Sequence, residues 1–175
     1  MSVSPSEKVE VAIADGIAIV TINNPGANTW DLESLPALET VVHALNARSD
    51  IRALVITGYG EKFFSAGADL NQFAGGDPVA AGAIADAFGR AFEALSDYRG
   101  VSVAAINGYA MGGGLEVALA CDIRIAERHA SLALPEAKVG PLPCAGGPQR
   151  LGQPLGEGWA KRMLLWGESL DADQA

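Results

Sequence analysis

The stretch from Val101 to Glu116 constrains the fold of this chain more than any other. It begins with an apolar run that is short enough for a buried strand and that breaks at Asn107-Gly108. Three consecutive glycines, Gly112 to Gly114, then lead into a second apolar run, which predicts a buried helix over Leu115 to Cys121. Because glycine has no Cβ, a ligand can approach such a loop closely, and the N–H groups at a helix start favour negative charge. The pattern therefore predicts a binding loop between a strand and a helix.

Glu116 is the only charged side chain between Arg99 and Asp122, and it falls in the first turn of the predicted helix. An acid there is compatible with a simple surface role, because the helix dipole favours negative charge at the N-terminal end. Its neighbours are apolar, however, so the helix has no evident polar face, and an unpaired buried carboxylate is costly. We therefore interpret Glu116 as a functional carboxylate.

Composition limits the classes of partner. The chain has 175 residues, of which 49% are hydrophobic and 19% charged, and this predicts one globular domain over residues 1–175. A net charge of -9 argues against nucleic acid and against an anionic membrane surface, since both require clustered Lys and Arg. Cys121 and Cys144 have no metal or redox spacing, and two histidines are too few for a cluster. We expect no metal site.

The N-terminal residues and the longest uncharged run indicate where in the cell the protein is expected. Residues 1–10 are polar and mixed in charge, without the apolar core of a signal peptide. The longest uncharged run, residues 100–115, is shorter than the roughly 20 apolar residues of a spanning helix and is interrupted by glycine. These features predict a cytoplasmic protein without a membrane segment.

A hairpin opens the chain, because Asp15-Gly16 separates the β-branched runs Val9–Ile13 and Ile17–Ile22. A helix over Leu35–Leu45 follows, with Ser34 as its expected N-cap. The later expected elements are strands at Ala53–Thr57, Ile123–Ala126 and Ser131–Leu134, helices at Val79–Leu95 and Gly156–Trp166, and the start of another helix at Asp171–Ala175. Short strands arrive in close pairs between helices, which predicts an α/β fold of repeated β-turn-β-helix units.

Three features of the sequence suggest chemistry: the small-residue loop Ser65 to Asp69, the glycine loop ending in Glu116, and Glu136 behind Pro135. One N–H group from each loop could converge on a carbonyl oxygen as an oxyanion hole, in which each donor is worth about 3 to 4 kcal/mol. Two carboxyl groups nearby could divide acid and base work. Taken alone, the first loop is equally compatible with an ordinary turn, and Glu136 with an ordinary first-turn helix residue.

Other glycine and nucleophile motifs are absent from the sequence. Gly112, Gly114 and Val117 fail the last position of the Gly-x-Gly-x-x-Gly/Ala dinucleotide fingerprint. The sequence contains no Gly-x-Ser-x-Gly elbow, no phosphate-binding Gly-Lys-Ser/Thr and no metal-spaced histidine pair. Nothing therefore supports a dinucleotide, hydrolase-elbow, nucleoside-triphosphatase or zinc interpretation.

The ordered motifs Phe64 to Leu70, Asn107 to Glu116 and Leu134-Pro135-Glu136 closely resemble those of the enoyl-CoA hydratase/isomerase (crotonase) family. The match also includes Asn24-Pro25 with Asn28, Ala145-Gly146-Gly147 and Gln149-Arg150-Leu151. The likeness runs from the N-terminal hairpin to Ala175. It implies a crotonase-like spiral of repeated ββα units. Family members continue with further helices that cover the acyl pocket and help to build trimers or dimers of trimers. By this resemblance the chain is expected to be C-terminally truncated, and to form a homotrimer or dimer of trimers if the C-terminus is intact.

The resemblance also assigns roles to residues. The N–H groups of Ala68 and Gly113 would bind the thioester oxygen of an acyl-CoA, and Glu116 and Glu136 match the two glutamates of the hydratases. These glutamates would hold one water, with Glu116 as its base and Glu136 as proton donor to Cα, although coupled carboxyls could exchange these roles. The residues expected to line the substrate site are Ala66, Ala68, Asp69, Leu70, Asn71, Gly112 and Gly113.

Because both glutamates are present, the resemblance implies a lyase of fatty acid metabolism that hydrates a trans-2-enoyl-CoA. Coenzyme A would arrive as part of the thioester substrate, and no permanently bound cofactor is expected. An enoyl-CoA isomerase or another acyl-CoA enzyme of the same fold is the alternative within the family. An alternative of another class is a non-catalytic remnant that binds an acyl-CoA or assembles with partners, inactive as a truncated chain.

Overall fold

The chain forms two β-sheets, with helices connecting their strands along the sequence. The computed structural model describes residues 3–73 and 75–175. The strands are β1 Val9–Ala14, β2 Ile17–Ile22, β3 Ala53–Gly58, β4 Phe63–Ser65, β5 Val101–Ile106, β6 Tyr109–Met111, β7 Ile123–Ala126, β8 Ser131–Ala133 and β9 Ser169–Asp171. The α-helices are α1 Ser34–Asn46, α2 Pro78–Ser96, α3 Gly113–Ala120, α4 Glu136–Val139 and α5 Gly147–Trp166. A short 3-10 helix spans Leu70–Phe73.

The chain repeatedly passes from one sheet to the other. The first sheet has the order β1-β2-β3-β5-β7, and the second has the order β4-β6-β8-β9. Strand β3 leads into β4, β5 into β6 and β7 into β8, and a helix follows each of these pairs. Pairing is parallel except in the β1–β2 hairpin and between β8 and β9. The predicted fold of repeated ββα units is therefore confirmed.

Glycines allow the tight crossing between the sheets. A Cβ on Gly58, at the end of β3, would clash with the carbonyl oxygens of Phe63 and Phe64, and one on Gly108 would clash with the carbonyl of Lys62. The side chain of Asn107 links the end of β5 to the end of β3, since it accepts from the Gly58 N–H at 3.0 Å and donates to the Gly58 oxygen at 2.8 Å. The predicted break at Asn107-Gly108 is thus the point at which the chain leaves the first sheet for the second.

Aromatic side chains join the helices to the core. Phe92 of α2 packs edge-on against Trp30 and against Phe88, with ring centroids 5.8 and 5.4 Å apart. The helical spacing of Ile84, Phe88, Phe92 and Leu95 predicts that they share one face of α2, and the structure confirms this because all four are buried. Every residue of α3 is buried, as a sequence that is uncharged apart from Glu116 predicts.

The expected N-cap of the first helix is wrong. Ser34 lies inside α1, and its N–H donates to Asp31 Oδ1 at 2.8 Å. The same carboxylate oxygen accepts from the N–H of Glu33 at 3.0 Å. Two N–H groups at the start of the helix are therefore satisfied by one carboxylate oxygen of an acid that stands three residues before it.

The C-terminal part of the chain departs most from expectation. Ser169–Asp171 forms strand β9 and pairs antiparallel with β8, so the helix expected from Asp171 is wrong. The buried side chain of Leu170 accounts for this, because strand pairing places it in the core. Element α5 consists of two helical stretches on either side of Gly156, whose backbone is non-helical (φ 76°). The second stretch, which ends at Trp166, agrees with the expected helix, whereas the first, from Gly147, was not expected. The three-residue strands β4 and β6 were not expected from the sequence.

Two glycine substitutions test how far close backbone approach supports the fold. A Cβ at Gly114 would clash with the carbonyl of Ser65, whereas one at Gly89 in α2 would meet nothing within 4 Å. We expect Gly114→Ala to lower the free energy of unfolding by about 1 to 3 kcal/mol through overpacking. Gly89→Ala is expected to raise it by up to about 1 kcal/mol through helix propensity. Chemical denaturation measures both, and equal effects of the two variants would contradict the packing argument.

Candidate active site

The first donor loop follows β4 and is held by a short parallel bridge. The Trp30 N–H donates to the Gly67 oxygen at 2.8 Å, and the Asp69 N–H donates to the Trp30 oxygen at 2.9 Å. In such a bridge the intervening residue, Ala68, directs its own N–H away from Trp30. Among the described residues, no acceptor takes the Ala68 N–H. This group is therefore available to a ligand.

The second donor loop joins β6 to α3. Gly112 has a φ of 53° and donates its N–H to the Ala133 oxygen at 2.9 Å, which ties the loop to the second sheet. Gly113 is the first residue of α3, so its N–H has no intrahelical acceptor. A Cβ on Gly67 would lie 3.0 Å from the Gly113 nitrogen, which shows how closely the two loops approach. The fold therefore brings together the two loops that the sequence analysis singled out, and the pairing of their N–H groups on one oxygen stays a prediction.

A cleft of about 340 Å³ opens beside the two loops. Its wall includes most of the residues expected at the site, namely Ala66, Ala68, Asp69, Leu70, Gly112, Gly113, Glu116 and Glu136. Asn71 does not belong to this wall, because its side-chain amide donates to Asp69 Oδ1 at 2.9 Å and the residue is exposed. The fold thus brings residues from three separate segments of the sequence to one cleft.

Glu116 lies at the base of this cleft with 3% of its surface exposed. Its Oε1 accepts two backbone hydrogen bonds, from the N–H of Ala145 at 2.9 Å and of Gly147 at 2.8 Å. Burial raises the pKa of this carboxyl, while the two N–H donors and the nearby charge of Arg150 act to lower it. Glu116 is therefore a carboxylate with one oxygen fixed by the backbone.

The carboxyl group of Glu136 lies in a different environment from that of Glu116. It is the first residue of the short helix α4 and is 9% exposed. Its Oε2 is buried and has no hydrogen-bond partner among the described residues. Burial, reinforced by the negative charge of Glu116, raises its pKa to about 7, although its own backbone N–H acts in the opposite direction. At neutral pH this carboxyl can therefore carry a proton.

The structure adds residues to the cleft that the sequence did not identify as site residues. Phe88 of α2, whose spacing indicates a core position, also contributes to the cleft wall, as does Cys144. Ala145 and Gly147 orient Glu116 through their N–H groups. The glycine-rich run around Gly146 was the available signal in the sequence, because such a run allows N–H groups to approach a carboxylate.

Two unoccupied N–H donors and two carboxyl groups of different proton affinity can together bind a carbonyl oxygen and move protons beside it. In residues 3–73 and 75–175, no group of three or more His, Cys, Asp or Glu side chains could hold a metal ion. Over the same residues, no helix is both long and apolar enough to cross a lipid bilayer.

Comparison with known proteins matches a family model, enoyl-CoA hydratase/isomerase, to residues 12–175. The short-chain-enoyl-CoA hydratase of Clostridium acetobutylicum is 36% identical over 160 residues, which cover 91% of this chain and 61% of the relative. The 2,3-dehydroadipyl-CoA hydratase of Escherichia coli is 39% identical over 160 residues, with 91% and 62% covered. The chain therefore spans less than two thirds of the length of these curated relatives.

Solved structures agree with the sequence relatives. The structure of Pseudomonas aeruginosa DspI is similar with a TM-score of 0.95 and 62% identity, and the match covers 97% of this chain and 70% of that one. An enoyl-CoA hydratase from Bacillus anthracis is similar with a TM-score of 0.92 and 35% identity, with 97% and 66% covered. The family match over most of the chain, together with the shared fold, establishes that this protein belongs to the enoyl-CoA hydratase/isomerase family.

Proposed function

We propose that this protein hydrates the trans-2 double bond of an enoyl-CoA thioester. The observation that carries the proposal is the unequal setting of Glu116 and Glu136 on one cleft. The cleft also holds the residues whose unoccupied N–H groups could bind a carbonyl oxygen, Ala68 and Gly113. The relatives named as hydratases support an enoyl-CoA as substrate.

The thioester oxygen would accept hydrogen bonds from the N–H groups of Ala68 and Gly113. When water adds to Cβ, electron density moves through Cα to this oxygen, so its negative charge grows as the C–O bond forms. Donors that are already in place stabilise that charge by about 3 to 4 kcal/mol each. They also polarise the double bond before attack.

Glu116 would act as the base on the water. Its Oε1 is occupied by the N–H groups of Ala145 and Gly147, which fix the plane of the carboxylate. No donor among the described residues reaches Oε2, so this oxygen can take a hydrogen bond from the attacking water. As the hydroxyl oxygen bonds to Cβ, the released proton would move to Glu116.

Glu136 would act as the acid towards Cα. A carboxyl group with a pKa of about 7 is protonated in an appreciable fraction at neutral pH, and its buried oxygen has no competing partner. Transfer of its proton to Cα completes the hydration and leaves Glu136 ionised and Glu116 protonated. Exchange of protons with water would then restore both groups for the next cycle.

The remaining parts of the proposal concern ligands and assembly. Coenzyme A would enter as the thiol part of the substrate and would not be a permanently bound cofactor. Assembly as a homotrimer or dimer of trimers, a cytoplasmic location and a single domain stay predictions from the sequence. If product analysis showed a displaced double bond instead of an added hydroxyl group, the isomerase alternative would replace hydration. Tight binding of the thioester without turnover would favour the non-catalytic alternative.

Replacement of either glutamate tests the proposed acid and base. We expect Glu116→Gln and Glu136→Gln each to lower kcat for hydration of crotonyl-CoA by roughly 10²-fold to 10⁴-fold, since each variant loses one proton-transfer group. Glu93→Gln, at an exposed position on α2, is the matched control and should retain the parental rate. Loss of absorbance of the conjugated thioester measures hydration. A parent that leaves this absorbance unchanged, or glutamate variants as active as the parent, would refute the proposal.

The raised pKa of Glu136 predicts a dependence on pH. Hydration should slow as the pH rises through about 7, because the proposed acid then loses its proton.

The free energy of unfolding should also depend on the protonation of Glu136. The pKa of this carboxyl in the folded state is above its ordinary value of 4.5, so the folded state keeps the proton to a higher pH than the unfolded state does. The free energy of unfolding should therefore fall as the pH rises from 4.5 to about 7 and then level off. Denaturation of Glu136→Gln should show a smaller fall, and an equal fall would contradict the assignment.

Cys144 offers a test of where the thioester binds. The residue is exposed overall, and it contributes to the cleft wall. Partial desolvation by the surrounding protein, together with the charges of Glu116 and Glu136, raises the pKa of its thiol, so alkylation should accelerate with pH. Cys121 is 5% exposed, its pKa is raised to about 12, and it should stay unmodified. We expect butyryl-CoA to slow the reaction of iodoacetamide with Cys144, as followed by intact mass. Cys144→Ser is the unlabelled control, and equal rates with and without the thioester would argue against binding in this cleft.

A further inference from the structure

The loop between α4 and α5 is held by hydrogen bonds to two side chains, Glu116 and Arg150. On one side, Glu116 Oε1 accepts from the N–H groups of Ala145 and Gly147. On the other side, the Arg150 guanidinium donates from Nη1 to the Ala145 carbonyl oxygen at 3.0 Å. Ala145 therefore has its N–H bound to the candidate base and its carbonyl bound to an arginine. Rotation of its peptide groups would break one or both of these bonds.

Arg150 reaches this carbonyl because its side chain folds back over the start of its own helix. Its backbone N–H donates to the Gly146 oxygen at 2.9 Å, which places it one turn into α5. A Cβ on Gly146 would clash with Arg150 Nη1, and the φ of 96° at Gly146 also favours glycine. The guanidinium thus lies directly against the backbone that supplies the donors to Glu116.

We propose that Arg150 is a positioning residue for the reaction: it fixes the Ala145–Gly147 backbone so that two N–H groups hold Glu116 Oε1 and leave Oε2 to the water. This inference rests on the proposed function of Glu116 as base. Arg150 is absent from the cleft wall, so it acts through the loop and through Glu116. Its planar fork makes it better suited than lysine to hold a carbonyl in one orientation.

Electrostatics reinforce the geometry. The charge of Arg150 acts to lower the pKa of Glu116 against the larger effect of burial. From the other packed elements, the groups that interact with this site are Glu136 of α4 and the thiol of Cys144. Asp122 and Arg124 line a small polar cavity together with Arg150. Removal of the guanidinium would therefore leave Glu116 harder to ionise as well as less well oriented.

Substitutions on α5 separate this role from simple stabilisation. Arg150→Gln removes both the positive charge and the planar set of guanidinium N–H donors, whereas Arg150→Lys keeps the charge and loses the planar donors. Arg162→Gln is the matched control, because Arg162 lies in the second helical stretch of α5, beyond Gly156, and pairs with Glu168 at 2.5 Å. The complete native protein and each variant would be measured for kcat against pH with crotonyl-CoA. The pKa of Glu116 would be measured without substrate, by NMR of ¹³C-labelled glutamate carboxyl groups.

We expect Arg150→Gln to lower kcat roughly 10-fold to 100-fold, as for a small misplacement of a catalytic group, and to move the acidic limb of the pH profile upward with the pKa of Glu116. Arg150→Lys should keep the pKa of Glu116 near that of the parent and still lose roughly 10-fold in kcat. Arg162→Gln should change neither quantity.

An unchanged kcat in Arg150→Gln, or a loss of kcat with the pKa of Glu116 unchanged, would overturn the inference. An equal shift of that pKa in Arg162→Gln would do the same. If Arg150→Gln does not fold, Arg150→Lys decides, and a parental kcat in that variant counts against positioning. A parent without hydratase activity would refute the proposed function, whereas the carboxyl titration would still show whether Arg150 acts on Glu116.

Discussion

Close approach of backbone to backbone at glycine is the constraint on which the candidate site depends. Gly114 packs against the Ser65 carbonyl, and a Cβ on Gly67 would lie 2.6 Å from the Met111 oxygen and 3.0 Å from the Gly113 nitrogen. A side chain at either position would push the two donor loops apart. Two N–H groups can serve one oxygen only if both lie within hydrogen-bond distance of it. The glycines therefore contribute to the candidate site through the spacing of the two loops, more than through flexibility.

The second constraint is the unequal environment of two buried acids. Glu116 projects from α3 towards the start of α5, where the N–H groups of Ala145 and Gly147 donate hydrogen bonds to its Oε1. Glu136 stands at the start of a four-residue helix, and no donor among the described residues meets its Oε2. Both carboxyls are desolvated, but Glu116 accepts two backbone hydrogen bonds from another segment, whereas only its own backbone N–H favours the charged form of Glu136. This difference separates a candidate base from a candidate acid without any difference in residue type.

Local patterns explain which elements could be predicted. The hairpin, α1, α2 and α3 follow from turn residues and apolar periodicity within each segment, so their sequences were sufficient to place them. Strands β4 and β6 have three residues each, too few for a period, and they form because the neighbouring strands supply hydrogen-bond partners. The early start of α5 and the pairing of β9 likewise depend on contacts with distant parts of the chain.

The same distinction applies to the site. The sequence by itself determined that a strand, a glycine loop and a buried helix carry Glu116, because each of these depends on neighbours along the chain. Only the tertiary structure decided that Ala145, 29 residues away, donates to that carboxylate. It also decided that Cys144 lies on the cleft wall and that Arg150 donates to the Ala145 carbonyl in the loop between α4 and α5. The proton affinity of a buried acid is set by the donors and charges around it in space, and these come from segments whose order in the chain does not reveal their contact.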